Sequence, residues 1–220
     1  QAQITKAEDR EYILGEVGSL PGGMGAVNSS VMAALRGWVV GEGQAMLEAV
    51  PEAERGTSLL LGNVAIMLMN QGRLAEAEAL QRVDLAAGRA QYGDKNPGTL
   101  ATLGNLALNL REQGKLAEAE PLFRESLAAS REVSGNDHQN TMRGAGNLGK
   151  VLLAQGKLAE AEPLLVEAVA WWRKTFGHGG TYSGALAELR LAQGRLAEAE
   201  QELGTLVADA RKAWGAQDLD

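Results

Sequence analysis

The sequence predicts an all-α protein: an α-solenoid of about four helix–turn–helix units with a helical cap at its N-terminal end. Three observations predict it. The phrase from Gln71 to Glu78 returns from Gln113 to Glu120, from Gln155 to Glu162 and from Gln193 to Glu200. The pairs Gly62-Asn63, Gly104-Asn105 and Gly146-Asn147 keep the same phase, continued by Gly184-Ala185. Gly93, Gly135, Gly177 and Gly215 keep it again, at spacings of 42, 42 and 38 residues. Landmarks recurring at one period mark units that cannot bury their apolar face alone and therefore stack.

Each unit reads as two helices. In the stretch from Thr99 to Gln113, Leu103, Leu106, Ala107 and Leu110 form an i, i+3, i+4, i+7 stripe. Gly114 ends it at a tight turn. A second helix follows from about Leu116 to Ser134, with Leu116, Ala119, Leu122, Phe123 and Leu127 on its buried face. Gly135 suits a left-handed residue just past a helix end. Alanines 77, 119, 161 and 199 are small enough for paired helices to approach closely. Glu118 and Glu120 lie near a helix start, where the dipole favours negative charge, and read otherwise as a solvated face. The units fall at residues 57–98, 99–140, 141–180 and 181–220. The last lacks four residues, about one helical turn, so its first helix is expected to start one turn late. Arg190 takes the place of Leu68, Leu110 and Leu152, which predicts an imperfectly buried helix.

Residues 1–56 do not repeat cleanly. Short helices are expected from Thr5 to Gly15, from Asn28 or Ser29 to about Val40, and from Gln44 to Val50, with Gly41 and Gly43 as breaks. One reading makes this segment a cap over the first unit's core. Another makes it a docking element that inserts Val31, Leu35 and Trp38 into a partner.

Composition narrows the function. Apolar residues are 45% of the chain and aromatics only 4%, while Ala, Leu and Glu favour helix. The net charge of −7 and the absence of any basic run argue against nucleic acid, which needs a cationic face to displace counterions. There are no cysteines, which excludes disulfides and thiolate metal sites. No stretch is long and apolar enough for a transmembrane helix. A soluble, cytoplasmic protein is the default expectation. An organelle interior follows instead if Gln1 in place of Met reflects processing.

Catalytic, cofactor and metal sites are not expected. Gly144-Ala145-Gly146-Asn147-Leu148-Gly149-Lys150 resembles a phosphate-binding loop, but no strand precedes it, Val151 stands where Ser or Thr is needed, and the repeat phase puts it inside a helix. Backbone N–H groups inside a helix are already used. His138 and His178, the only histidines, lie in linkers with no ligand set around them and read as capping residues.

The repeat pattern and the phrase Asn-Leu-Ala…Gln-Gly-Lys-Leu-Ala-Glu-Ala-Glu-Pro-Leu resemble the tetratricopeptide family, and the 42-residue period resembles its kinesin-light-chain subtype. Gly135-Asn136-Asp137-His138 is similar to that subtype's Gly-x-x-His linker. Gly93 to Pro97 keeps the Gly and Pro but not the His, and Gly177-His178-Gly179 departs further. The resemblance covers about residues 57 to 217. It implies that the first helix of each unit lines a concave groove, and that Asn63, Asn105 and Asn147 resemble asparagines that hydrogen-bond a bound peptide's main chain. An amide both donates and accepts, which suits a main chain. Bridging adjacent repeats is the competing role for these amides. Ile66, Asn70, Leu108, Arg111, Arg143 and Lys150 accompany them. The implied function is a protein-interaction adaptor holding a peptide or helix. The alternative is a structural subunit docked in a large assembly through the N-terminal segment and the array ends. Trp171 and Trp172, being adjacent, cannot share a face: one is expected in the core, the other over a linker or interface. Trp214 is expected to close the last repeat.

Overall fold

The computed structural model describes Gly37 and residues 40–50 and 59–214. The chain forms two compact units, 1–55 and 56–220. The expected helices before Gly37, the docking residues Val31, Leu35 and Trp38, and the side chain of Trp214 lie outside the described residues. In the smaller unit, residues 40–49 form one continuous helix, so Gly41 and Gly43 do not break it. Val40, Gly43 and Leu47 are buried and follow helical spacing. A glycine costs only about 1 kcal/mol in a helix, which a buried face offsets.

The larger unit is a run of eight described helices: α1 (Leu59–Asn70), α2 (Leu74–Tyr92), α3 (Pro97–Glu112), α4 (Leu116–Ser134), α5 (Gln139–Ala154), α6 (Leu158–Phe176), α7 (Tyr182–Ala192) and α8 (Leu196–Trp214). No strand occurs among the described residues. Each helix packs on the one before and the one after, and successive first helices α1, α3, α5 and α7 touch. The core is one seam, running from Leu85 through Leu103, Leu110, Phe123, Leu148 and Leu165 to Leu189.

The turn between the two helices of a unit is the same four times. Gly72, Gly114, Gly156 and Gly194 have φ of 73°, 75°, 74° and 75°, a region closed to most side chains. Past the second helices, Gly93 and Gly135 have positive φ with ψ of 165° and 171°, and only Gly177 is in the left-handed helical region. The expectation for Gly135 is corrected accordingly: glycine is needed there, but for an extended exit. Asn96 caps α3 by accepting from the Gly98 N–H at 2.8 Å. His138 caps α5 in the same place, its Nδ1 accepting from the Asn140 N–H at 3.2 Å. Asparagine thus replaces the linker histidine in kind.

α7 has 11 residues where α3 and α5 have 16. The missing segment therefore delays the start by five residues, slightly more than one turn. Arg190 is not left facing water. Its Nη1 lies 2.9 Å from Glu202 Oε1, and Arg173 Nη2 lies 2.6 Å from Glu202 Oε2. Glu202 stands where α6 has Leu164, so a leucine pair has become an ion pair.

Candidate functional site

The repeated acidic phrase has a structural role that the sequence reading missed. The second Glu of the first three phrases accepts hydrogen bonds from the next unit's Gln-Gly-Lys/Arg turn. Glu78 Oε2 accepts from Gln113 Nε2 at 2.8 Å and Lys115 Nζ at 2.7 Å. Glu120 Oε2 accepts from Lys157 Nζ at 2.6 Å, and Glu162 accepts from Gln193 at 2.9 Å and from Arg195. Lys115 foremost, then Gln113 and Arg82, holds the Glu78 carboxyl down at about 2. Lys157 and Arg124 hold Glu120 at about 2. The first Glu of the phrase is tied backward, Glu118 to Arg82 at 2.8 Å and Glu160 to Arg124 at 2.6 Å. These carboxylates stitch unit to unit. Their signal was in the sequence: Gln and Lys or Arg recur in phase with Glu, one unit later.

A buried polar link joins the first two units. The Asn109 amide donates to Gln81 Oε1 at 2.8 Å and to the Leu74 carbonyl at 3.0 Å. The equivalent positions in the next pair are Val151 and Phe123, both buried and apolar. Asn109 therefore does the bridging that Asn63, Asn105 and Asn147 were candidates for.

Among the described residues those three amides have no hydrogen-bond partner. Asn63 is exposed, and Asn105 and Asn147 are half-buried. On the same helices Ile66 and Asn70 are exposed, while Leu108 and Arg111 are half-buried. On α5, exposed Arg143 and half-buried Asn147 and Lys150 follow i, i+4, i+7 spacing and share one stripe. Lys150 Nζ lies 5.0 Å above the Tyr182 ring and 3.3 Å from Thr181 Oγ1. Burial, helped by the charge of Arg111, pushes the Lys150 ammonium below its usual range. Burial pushes the Tyr182 hydroxyl up, while Arg143 and Arg111 act against it. The charges of Arg111, Arg143 and Lys150 are thus close enough to be felt at one place. Arg111 is paired with Glu112 at 2.5 Å. Among the described residues neither Arg143 nor Lys150 is in a salt bridge, although Glu112 lies close enough to act on the Lys150 charge.

The glycines of the phosphate-loop look-alike all lie within α5. A Cβ on Gly146 would sit 2.4 Å from the Tyr182 ring, and one on Gly149 2.7 Å from Leu165. They are absences of side chain that let neighbouring helices close in. His178 Nδ1 accepts from the Gly180 N–H at 3.1 Å. Among the described residues no three His, Cys, Asp or Glu side chains gather as metal ligands, and no helix is long and apolar enough to cross a membrane.

Trp172 packs against the core, and Trp171 Nε1 donates to the Asp137 carbonyl in the preceding linker at 3.1 Å. A shallow cleft of about 340 Å³ borders that linker, lined by Asn136, Asp137, Met142, Glu167, Trp171 and Lys174 among others. None of the asparagines or cations discussed above lines it.

The tetratricopeptide repeat family model matches residues 56–132, 101–170 and 140–212. Among solved structures, the chain is similar to a Podosopora anserina protein of nearly identical TPR-like repeats, named for kinesin light chain. Identity is 24% over 86% of this chain and 91% of that one, with a TM-score of 0.65. A single-substitution variant of that protein gives 25% identity over 84% and 89%, with a TM-score of 0.66. BtubC (BKLC) from P. vanneervenii is similar at 17% identity over 94% of this chain and 84% of that one, with a TM-score of 0.58. No curated protein matches the sequence. The fourfold turn, the in-phase carboxylate stitches and overlapping matches from residue 56 to 212 lead to one conclusion: this chain belongs to the tetratricopeptide repeat family, with repeats of the kinesin-light-chain-like kind.

Proposed function

We propose that the chain is an interaction adaptor that holds a peptide or helix of a partner protein along the face of its first helices. Tetratricopeptide arrays are in general protein-interaction scaffolds without enzymatic activity, and this chain is read as no exception. The observation that carries the reading is a set of unspent groups. The amides of Asn63, Asn105 and Asn147 recur at one position in three of the four units, with Ala185 in the fourth, and have no bonding partner among the described residues. A partner's main chain offers N–H and C=O groups at regular intervals, and amides can engage both. Ile66, Asn70 and Leu108 supply side-chain contact beside them.

Arg143 and Lys150, with Arg111 nearby, add a preference. Two cations that form no salt bridge among the described residues favour an acidic segment, through complementarity that steers encounter and rejects basic competitors. The overall charge of −7 disfavours nucleic acid as the partner. Panning a random peptide display library against the purified chain tests the reading. The expected binders are enriched in Asp and Glu. The double substitution Asn105→Ala/Asn147→Ala is expected to weaken them about tenfold or more, the equivalent of one or two lost hydrogen bonds. Binders whose affinity ignores both the double substitution and Arg143→Glu would sink the groove assignment.

A further inference from the structure

The cations on the face of the first helices gather at one place, and their number selects the chemistry of what they can hold. We propose that the partner segment carries a phosphorylated serine or threonine, its phosphate held by Arg143 and Lys150 of α5 with Arg111 of α3 beside them, an inference that rests on the groove reading above and narrows it.

The floor of this place is Tyr182. Its ring lies against α5 where Gly146 has no side chain, and its hydroxyl donates to the Arg143 carbonyl at 3.4 Å. Lys150 Nζ sits 5.0 Å from the ring centroid, with Thr181 Oγ1 at 3.3 Å as its hydrogen-bond partner. An ammonium carries three donors, so two remain for a ligand. One unit earlier the places of Arg143, Lys150 and Tyr182 are held by Ala101, Leu108 and Gly144. The stacking of repeats therefore does not require these side chains.

The charges here act as one group. Arg111 acts on the Lys150 ammonium, and Arg143 and Arg111 both act on the Tyr182 hydroxyl. Glu112 acts on Lys150 as well and is the ion-pair partner of Arg111. Three cations against one carboxylate leave two positive charges. A phosphorylated side chain carries about −1.5 to −2 near neutrality, whereas one Asp or Glu carries a single charge. Negative charge stands on both sides of α5, with Glu112 on α3 and exposed Glu188 at the Lys150 position of α7. A run of acidic residues spread along the face meets those carboxylates, and one compact dianion between them does not. Phosphate oxygens also accept the paired N–H groups of a guanidinium, which suits Arg143.

Reach selects serine or threonine. Asn147 lies between Arg143 and Lys150 on α5, roughly 6 Å from the first and 4.5 Å from the second along the axis at about 1.5 Å per residue. A main chain held by the Asn147 amide therefore passes between the two cations. A short phosphorylated side chain at that point reaches both, whereas the ring of a phosphotyrosine carries its phosphate past them.

Degenerate peptide libraries with a fixed central phosphoserine, phosphothreonine, phosphotyrosine, glutamate or serine, passed over the immobilised full chain, test this. The sequence most enriched from the phosphoserine library is then made with each central residue and titrated by calorimetry. The phosphoserine peptide is expected to bind about tenfold or more tighter than its glutamate, serine and phosphotyrosine versions. Arg143→Gln and Lys150→Gln are each expected to remove most of that advantage while changing the serine version by less than about twofold. Asn147→Ala is expected to weaken every version alike. Circular dichroism identifies any variant that loses its helices. The Arg143 side chain is exposed and has no hydrogen-bond partner among the described residues, so Arg143→Gln stays informative. Equal affinity of the phosphoserine and serine versions, both weakened by Asn147→Ala, overturns the phosphate assignment and leaves the groove reading standing. An advantage that survives the double substitution Arg143→Gln/Lys150→Gln also overturns it. So does displacement of the peptide by inorganic phosphate at concentrations near the peptide's own Kd, which marks a site for the free anion. Retention of no library overturns both readings.

Discussion

Replacing Glu120 by Gln removes one charge from the middle stitch while keeping the shape of the side chain. Glu120 is 14% exposed and accepts from Lys157 at 2.6 Å and from Arg124 at 2.9 Å. A hydrogen bond to a charged group contributes ~1.5–3 kcal/mol when sheltered, but an exposed ion pair only ~0–1 kcal/mol. Lys157 and Arg124 are 42% and 45% exposed and recover water when released, which puts the loss nearer the lower range, at ~1–2 kcal/mol. For a unit of this size that lowers the melting temperature by roughly 2–8 °C. The pH dependence gives a sharper check. The Glu120 carboxyl is held at about 2 in the folded chain, against 4.5 without its partners. A depressed carboxyl stabilises the fold fully above its unfolded value and loses that contribution as pH falls toward the folded one. Urea denaturation of wild type and Glu120→Gln, near pH 7 and again near pH 3, is therefore expected to show the difference shrinking to under about half at the acid end. Equal differences at both pH values, or none near neutrality, would refute the stitch as a source of stability.

Gly114→Ala meets open space but a φ of 75°, and is expected to cost ~1–2 kcal/mol by thermal melting. Gly146→Ala drives a methyl into the Tyr182 ring, and is expected to destabilise by ~1–3 kcal/mol. Wild type is expected to show no heat of ATP binding in calorimetry, and a measurable one would restore the phosphate-loop reading of α5. Glu202→Leu leaves Arg190, which is 15% exposed, with Glu198 at 3.7 Å as its remaining carboxylate, and is expected to cost ~1–3 kcal/mol in denaturant titration. The double substitution Arg190→Leu/Glu202→Leu rebuilds the leucine pair of the earlier units and is expected to be neutral or stabilising.

The sequence carried the architecture because the turn glycines and the helix stripes are local demands: Gly114 must reach positive φ, and Leu103 to Leu110 must share one side. Their period told where each helix starts, and α4 runs from Leu116 to Ser134 as the stripe predicts. What the period did not reveal was partnership. Glu78 and Glu120 were legible as helix-start carboxylates. Their bonds run 35 to 37 residues ahead, a distance set by how hairpins stack rather than by any one helix. The same limit hid the Asn109–Gln81 link. The exchange of a leucine pair for Arg190 and Glu202 was half visible: Arg190 stands out against three leucines, but Glu202 is recognised only when Leu164 is known to face Leu152. The asparagine row was legible as a recurring residue, and its freedom from internal bonds required the coordinates.

One consequence follows from the stitches joining each hairpin only to its neighbours. Among the described helices, α3 to α6 are held from both flanks, whereas α7 and α8 meet only the hairpin before them. Loosening of these eight helices as they stand is therefore expected to travel inward from that margin, in the manner of a zipper rather than of a globule melting at once. Amide exchange should rank the hairpins accordingly, with α8 the fastest to trade deuterium and α4 and α5 among the slowest. A partner seated on that margin would slow the whole series, with no contact to its middle.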